Sequence, residues 1–357
     1  MPTSPRNLRV ALQLAAAALA CGLAPHPAHA EEPAALRLFA AARTVVGEVA
    51  DHSGQRWLRE RLTDDADAAR YGLHLDAGWE QTATASPQLP LVILIHGFNS
   101  TPESNAAILA PIRAAGFPSA VFAYPNDSSI DDSAAFLSQT LKAFAAAHSG
   151  LNVALVTDSM GGLVARACVE DPALDPGNVT RLQMIAPPSQ GSLIAQASFG
   201  ADLWEHWIAR RDGSAWRRWR DSVVDGTGEA ADDLMPGSPF LTRLNARPRN
   251  PRVRYAIFLG THTAVTATEF NLLRLTLQKS ARHEGLGAYA GSIDNLLADL
   301  DELVDGKGDG VVALKRGRLE GVADVVELPF DHLSCTDEPG DNVAVLKLQT
   351  ELVARLR

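Results

Sequence analysis

Val153-Ala154-Leu155-Val156-Thr157-Asp158-Ser159-Met160-Gly161-Gly162-Leu163-Val164-Ala165-Arg166 is the stretch on which the reading of this chain turns. Val153 to Val156 is a short apolar run of the kind that forms a buried strand, whereas Met160, Leu163, Val164, Ala167 and Cys168 recur at helical spacing. A serine therefore stands where a strand turns sharply into a helix. A serine hydroxyl is unreactive at its free pKa. A tight turn of this kind holds Oγ clear of the backbone, where a base can reach it and helix N-terminal amides can face a developing oxyanion.

Partners for such a serine occur in a definite order. Upstream, Leu91 to Ile95 is a second apolar run, ending in the turn His96-Gly97-Phe98-Asn99-Ser100. Downstream come Gly308-Asp309-Gly310-Val311-Val312 and, 23 residues after Asp309, Asp331-His332-Leu333-Ser334. With nucleophile, acid and histidine in that order, a His-Gly turn and a Ser-Met-Gly-Gly elbow, the chain resembles the α/β-hydrolase superfamily. Within it, the chain is similar to bacterial lipases and esterases over residues 88 to 357.

The resemblance implies an α/β fold in which helices flank a mostly parallel central sheet and a helical cap is inserted. It assigns Ser159 as nucleophile, His332 as base and Asp309 as the acid that orients the imidazole, with His262 and His283, and Asp305 and Asp331, as alternatives. It gives the oxyanion-hole donors as the backbone N–H groups of Phe98 and Met160, with His96 and Gly97 shaping the turn. Two positions depart from the family. Thr157 stands where the elbow usually opens with glycine, so a β-branched side chain crowds the turn. Asp158 stands where such lipases often carry histidine. Its carboxylate either raises the pKa of the catalytic imidazole or only forms a hydrogen bond or surface salt bridge.

Composition sets the surroundings. Hydrophobic residues make up 46% of 357, enough for a sizeable core. Residues 1–30 read as a secretory leader: Arg6 and Arg9 precede an apolar run from Val10 to Ala24, and Ala28-His29-Ala30 offers a cleavage site. Periplasmic or secreted placement follows, with lipid attachment at Cys21 as the weaker reading. Losing the leader removes two arginines and no carboxylate, taking the net charge from −10 to −12. So acidic a protein lacks the general basic face that nucleic acid requires. Cys168 lies on the inward stripe of the elbow helix and reads as a core residue rather than half of a bridge to Cys335. Asp305 to Gly310 lacks the ligand spacing of a calcium loop, so neither metal nor cofactor is expected.

Three regions are expected: the leader, an N-terminal extension over 31–88, and a hydrolase domain over 89–357 with a cap or lid at 192–250. Apolar runs at Leu91–Ile95, Ala120–Tyr124, Val153–Val156, Leu182–Ala186, Tyr255–Leu259 and Val325–Leu328 alternate with helical patterns such as Ser133–Ala147. That alternation indicates crossover units and a parallel sheet. A further possible strand is Tyr71–Leu75. Trp204, Trp207, Trp216 and Trp219, interleaved with arginines, fall in the insertion. They suit a surface meeting acyl chains or a lipid interface, and equally a cap packed onto the core. The expected activity is hydrolysis of carboxylic esters, lipids among them. Thioesters, amides, phospholipids and polyesters are alternative acyl donors for the same residues, and a non-catalytic binding protein is the alternative of another class. Oligomeric state is not legible.

Overall fold

The computed structural model describes residues 70–98, 105–125, 128–192, 229–263, 271, 301–303, 306–332 and 334–357. Residues 1–69, and Trp204, Trp207, Trp216 and Trp219, lie outside them. Seven strands form one sheet: β1 (Gly72–Leu75), β2 (Leu91–Ile95), β3 (Ser119–Ala123), β4 (Val153–Asp158), β5 (Val179–Ile185), β6 (Arg254–Gly260) and β7 (Val325–Leu328). Their order is β1-β3-β2-β4-β5-β6-β7. Every pair is parallel except β1 with β3, so Gly72–Leu75 adds an antiparallel edge to the body.

All five residues of β2 and all six of β4 are buried. Central strands covered on both faces read as unbroken apolar runs, which is why these two were the plainest in the sequence. Leu91, Ile93 and Ile95 join Val153 and Leu155 on one face, under helices α3 (Ile130–Ala147) and α4 (Met160–Val169). Val92 and Leu94 join Ala154 and Val156 on the other, under α2 (Ala106–Ala114) and α8 (Val343–Leu356). Helices α1 (Trp79–Ala85), α5 (Glu229–Asp233), α6 (Pro239–Ala246) and α7 (Leu314–Gly317) complete the described elements. Ala230, Leu234, Phe240, Leu241 and Leu244 are buried in the same cluster as α4, so α5 and α6 pack into the body.

Register places the site. Ile95 pairs with Thr157, and Asp158 with Ile185, so β2 and β4 end side by side at their carboxyl ends. Open α/β sheets bind ligands at that edge.

Candidate active site

At the end of β4 the backbone reverses direction within one residue. Ser159 has φ 48° and ψ −120°, a conformation that costs a non-glycine residue about 1–3 kcal/mol. Neighbouring hydrogen bonds hold it there. Ser159 N–H donates to the Ile185 carbonyl at 2.8 Å, and Gly162 N–H donates to the Ser159 carbonyl at 3.0 Å. Gly161 is required by close approach, since a Cβ there would stand 2.6 Å from the carbonyl oxygens of both Ile95 and His96. The crowding expected at Thr157 is relieved three-dimensionally. Thr157 is fully buried, and a Cβ on Gly162 would lie 3.3 Å from its Oγ1, so the glycine that usually leads the turn is replaced by space on the helix.

Ser159, His332 and Asp309 come together. His332 Nδ1 lies 2.8 Å from Asp309 Oδ2, and the carboxylate accepts, so Nδ1 carries the proton. Nε2 is thereby left as an acceptor, 3.0 Å from Ser159 Oγ. Asp309 is itself fixed. Its Oδ1 accepts from the N–H groups of Val311 at 2.9 Å and Val312 at 2.7 Å, in a turn closed by the bridge between Gly308 and Ala313. The two loops are also tied through the backbone, His332 N–H donating to the Asp309 carbonyl at 3.0 Å. Burial opposes a charge on His332, but the Asp309 carboxylate, with Asp158 and Asp331 behind it, outweighs burial and holds the imidazole pKa above its ordinary value.

The turn after β2 lies against this arrangement. A Cβ on Gly97 would stand 3.1 Å from Ser159 Cβ and 2.9 Å from Asp158 Oδ2, so the turn and the elbow are in contact. Phe98 packs partly buried against the core, and Met160 opens α4, where the first N–H groups have no partner within the helix. His96 opens this turn. It is buried, stacked on Tyr124 with ring centroids 4.4 Å apart, and its carbonyl accepts from Tyr124 Oη at 2.8 Å.

Asp158 is not at the surface, so the surface salt bridge drops out of the readings for it. It is buried, and its Oδ2 accepts a hydrogen bond from Asn105 Nδ2 at 3.0 Å. Among the described residues its Oδ1 has no hydrogen-bond partner. Burial pushes its carboxyl pKa up and Asp309 adds to that, against the pull of His332 and the Asn105 hydrogen bond. Asn105 was not legible in the sequence, because it lies 53 residues from Asp158 and beyond a loop.

Other residues weighed from the sequence fall elsewhere. His262 is exposed, and its N–H donates to the Phe330 carbonyl. Asp331 accepts from Ser334 N–H at 3.0 Å and stiffens the turn just after the histidine loop. Cys168 and Cys335 are both free and buried. Trp204, Trp207, Trp216, Trp219, Asn99, His283 and Asp305 lie outside the described residues.

Among solved structures, a lipase of Bacillus licheniformis in its mature form matches with a TM-score of 0.50 at 18% identity, covering 75% of this chain and 93% of that one. The fold is that of the α/β-hydrolases. A monoacylglycerol lipase of Paleococcus ferrophilus matches with a TM-score of 0.42 at 14% identity, covering 75% of this chain and 95% of that one. For a phospholipase of Legionella pneumophila the values are 0.40, 18%, 64% and 45%. No family model matches the chain, and no curated protein does. Within the α/β-hydrolase fold, Ser159 occupies the strand-to-helix elbow, Asp309 follows β6 and His332 follows β7.

Proposed function

We propose that this protein is a serine hydrolase of carboxylic esters, acting on lipid or other acyl esters through Ser159, His332 and Asp309. The observation that carries this reading is the continuous hydrogen-bonded chain from Ser159 Oγ through His332 to Asp309, set on a strained turn.

In the proposed reaction His332 Nε2 takes the Ser159 proton as Oγ bonds to the ester carbonyl carbon. The carbonyl electron pair moves onto oxygen, where the N–H groups of Met160 and Phe98 hold it. As the tetrahedral species collapses, the alcohol leaves with the proton from Nε2 and an acyl-serine remains. Water then adds to the acyl carbon with His332 again as base, and the acid is released. Asp309 holds the imidazole in the required tautomer and stabilises the imidazolium. One oxyanion donor is worth about 10²–10³ in turnover, so the Gly97-Phe98 turn matters nearly as much as the three side chains.

Lipid-like acyl groups are favoured by the tryptophan and arginine content of the insertion, and the Bacillus licheniformis neighbour is itself a lipase. Residues 1–30 make the proposed address periplasmic or secreted, with Glu31 as the first residue of the mature protein. Rates on p-nitrophenyl esters from acetate to palmitate, with and without a lipid–water interface, test the reading. Hydrolysis that disappears in Ser159→Ala and His332→Ala is expected. Equal rates in wild type and both variants would leave a binding protein on a hydrolase scaffold.

A further inference from the structure

The proposed acyl transfer makes no use of the Asp158 carboxyl, yet that group is buried next to the nucleophile with one oxygen that has no hydrogen-bond partner among the described residues. Leaving a buried polar atom unpaired is costly, so its position calls for a reason. Two contacts and a covalent neighbour supply one. Oδ2 lies against Gly97 in the turn after β2, and Asp158 precedes Ser159 directly, so the carboxyl stands between the turn and the elbow. The same Oδ2 accepts from Asn105, which ends the segment that leaves that turn. Asn105 is the N-cap residue of α2, where an asparagine side chain ordinarily binds the helix's own N–H groups; here it makes no such bond and reaches Asp158 instead.

We propose that Asp158 is a positioning residue that braces the oxyanion turn: clamped between Gly97 and Asn105, its carboxyl sets the gap between the Phe98 N–H and Ser159. This rests on the proposed ester hydrolysis. The brace needs an acceptor of this shape and not a charge. The titratable groups that face Asp158 are His332, Asp309, Tyr124 and Cys335, so its charge acts on the titration of His332, whereas the brace acts on turnover at the pH optimum.

The test compares Asp158→Ala, Asn105→Ala, the double variant and Asp158→Asn on a soluble p-nitrophenyl ester across pH. Misplacing a catalytic group by about 1 Å costs up to about 10²-fold, so each alanine variant is expected to lose about 10- to 100-fold in kcat with KM nearly unchanged. The double variant should be no slower than the slower single one, because both remove the same contact. Asp158→Asn, with an amide oxygen to accept from Asn105, should recover most of the lost kcat at the pH optimum, while its acid limb moves down because Asp158 no longer helps to raise His332. Should Asp158→Ala not fold, Asn105→Ala against Asp158→Asn makes the same comparison. An active wild type with alanine variants as fast as itself overturns the brace alone. Asp158→Asn as slow as Asp158→Ala at the pH optimum also overturns it, in favour of charge. A wild type that hydrolyses no ester, and whose Ser159 does not react with a fluorophosphonate, overturns the underlying reading instead.

Discussion

In the proposed hydrolysis His332 must be neutral to take a proton from Ser159, so activity is expected to rise with pH through its folded-state pKa. Burial alone would move that pKa down, but the carboxylates of Asp309, Asp158 and Asp331 move it up by more. The acid limb of kcat/KM, which reports the free enzyme's base, is therefore expected to have its midpoint above the ordinary histidine value of about 6.5. Removing the Asp309 charge in Asp309→Asn should cost on the order of 10⁴ in kcat, because the imidazole loses the acceptor that fixes its tautomer. A pH–rate profile with a limb below the ordinary value, or an Asp309→Asn variant of normal turnover, would count against these roles. At this scale Ser159 and His332 were legible because each comes just after an apolar run, and Asp309 because glycines flank it between the two. Asn105 was not, since nothing local marks an asparagine that abandons its own helix for a carboxyl 53 positions away.

Among elements, the strand–turn–helix of β4 and α4 carries the most constraint. Any side chain at position 161 meets two carbonyl oxygens of the neighbouring strand end. Gly161→Ala is therefore expected to lose about 1–3 kcal/mol of stability, read as a lower urea midpoint, and to lose activity as Ser159 shifts. A variant as stable and active as wild type would show that the elbow is looser than described. The start of α3 allows a second test. Asp233 Oδ2 accepts from Ile130 N–H at 2.9 Å, and burial pushes the Asp233 carboxyl up to about 6, helped by Asp131 and Asp232 and opposed by the Ile130 hydrogen bond and Arg243. Because that value exceeds the unfolded one of about 3.9, the stabilisation is complete below pH 4 and is lost as pH rises to about 6. Asp233→Asn accepts the same N–H and cannot ionise. It should match wild type at pH 4 and exceed it by about 1–3 kcal/mol at pH 7 in denaturant unfolding; a loss at pH 7 would contradict this. The apolar centre of each strand was legible, but its ends were less so. β5 begins at Val179, ahead of Leu182, through half-exposed Thr180 and Arg181, and β4 runs on to Asp158 because Met184 and Ile185 offer pairing.

For the whole molecule, alternating strand and helix signals gave the parallel sheet, while the strand order and the antiparallel β1 edge depend on pairings that no local pattern encodes. Both faces of the sheet are filled, and the three chemical side chains converge at the carboxyl ends of β4, β6 and β7. A single nucleophile at that edge is the central claim, and peptide-mapped labelling with a fluorophosphonate tests it most directly. The account requires one adduct, on Ser159, absent in Ser159→Ala and formed far more slowly in His332→Ala; labelling that is equal in wild type and Ser159→Ala, or that maps to another residue, would contradict it.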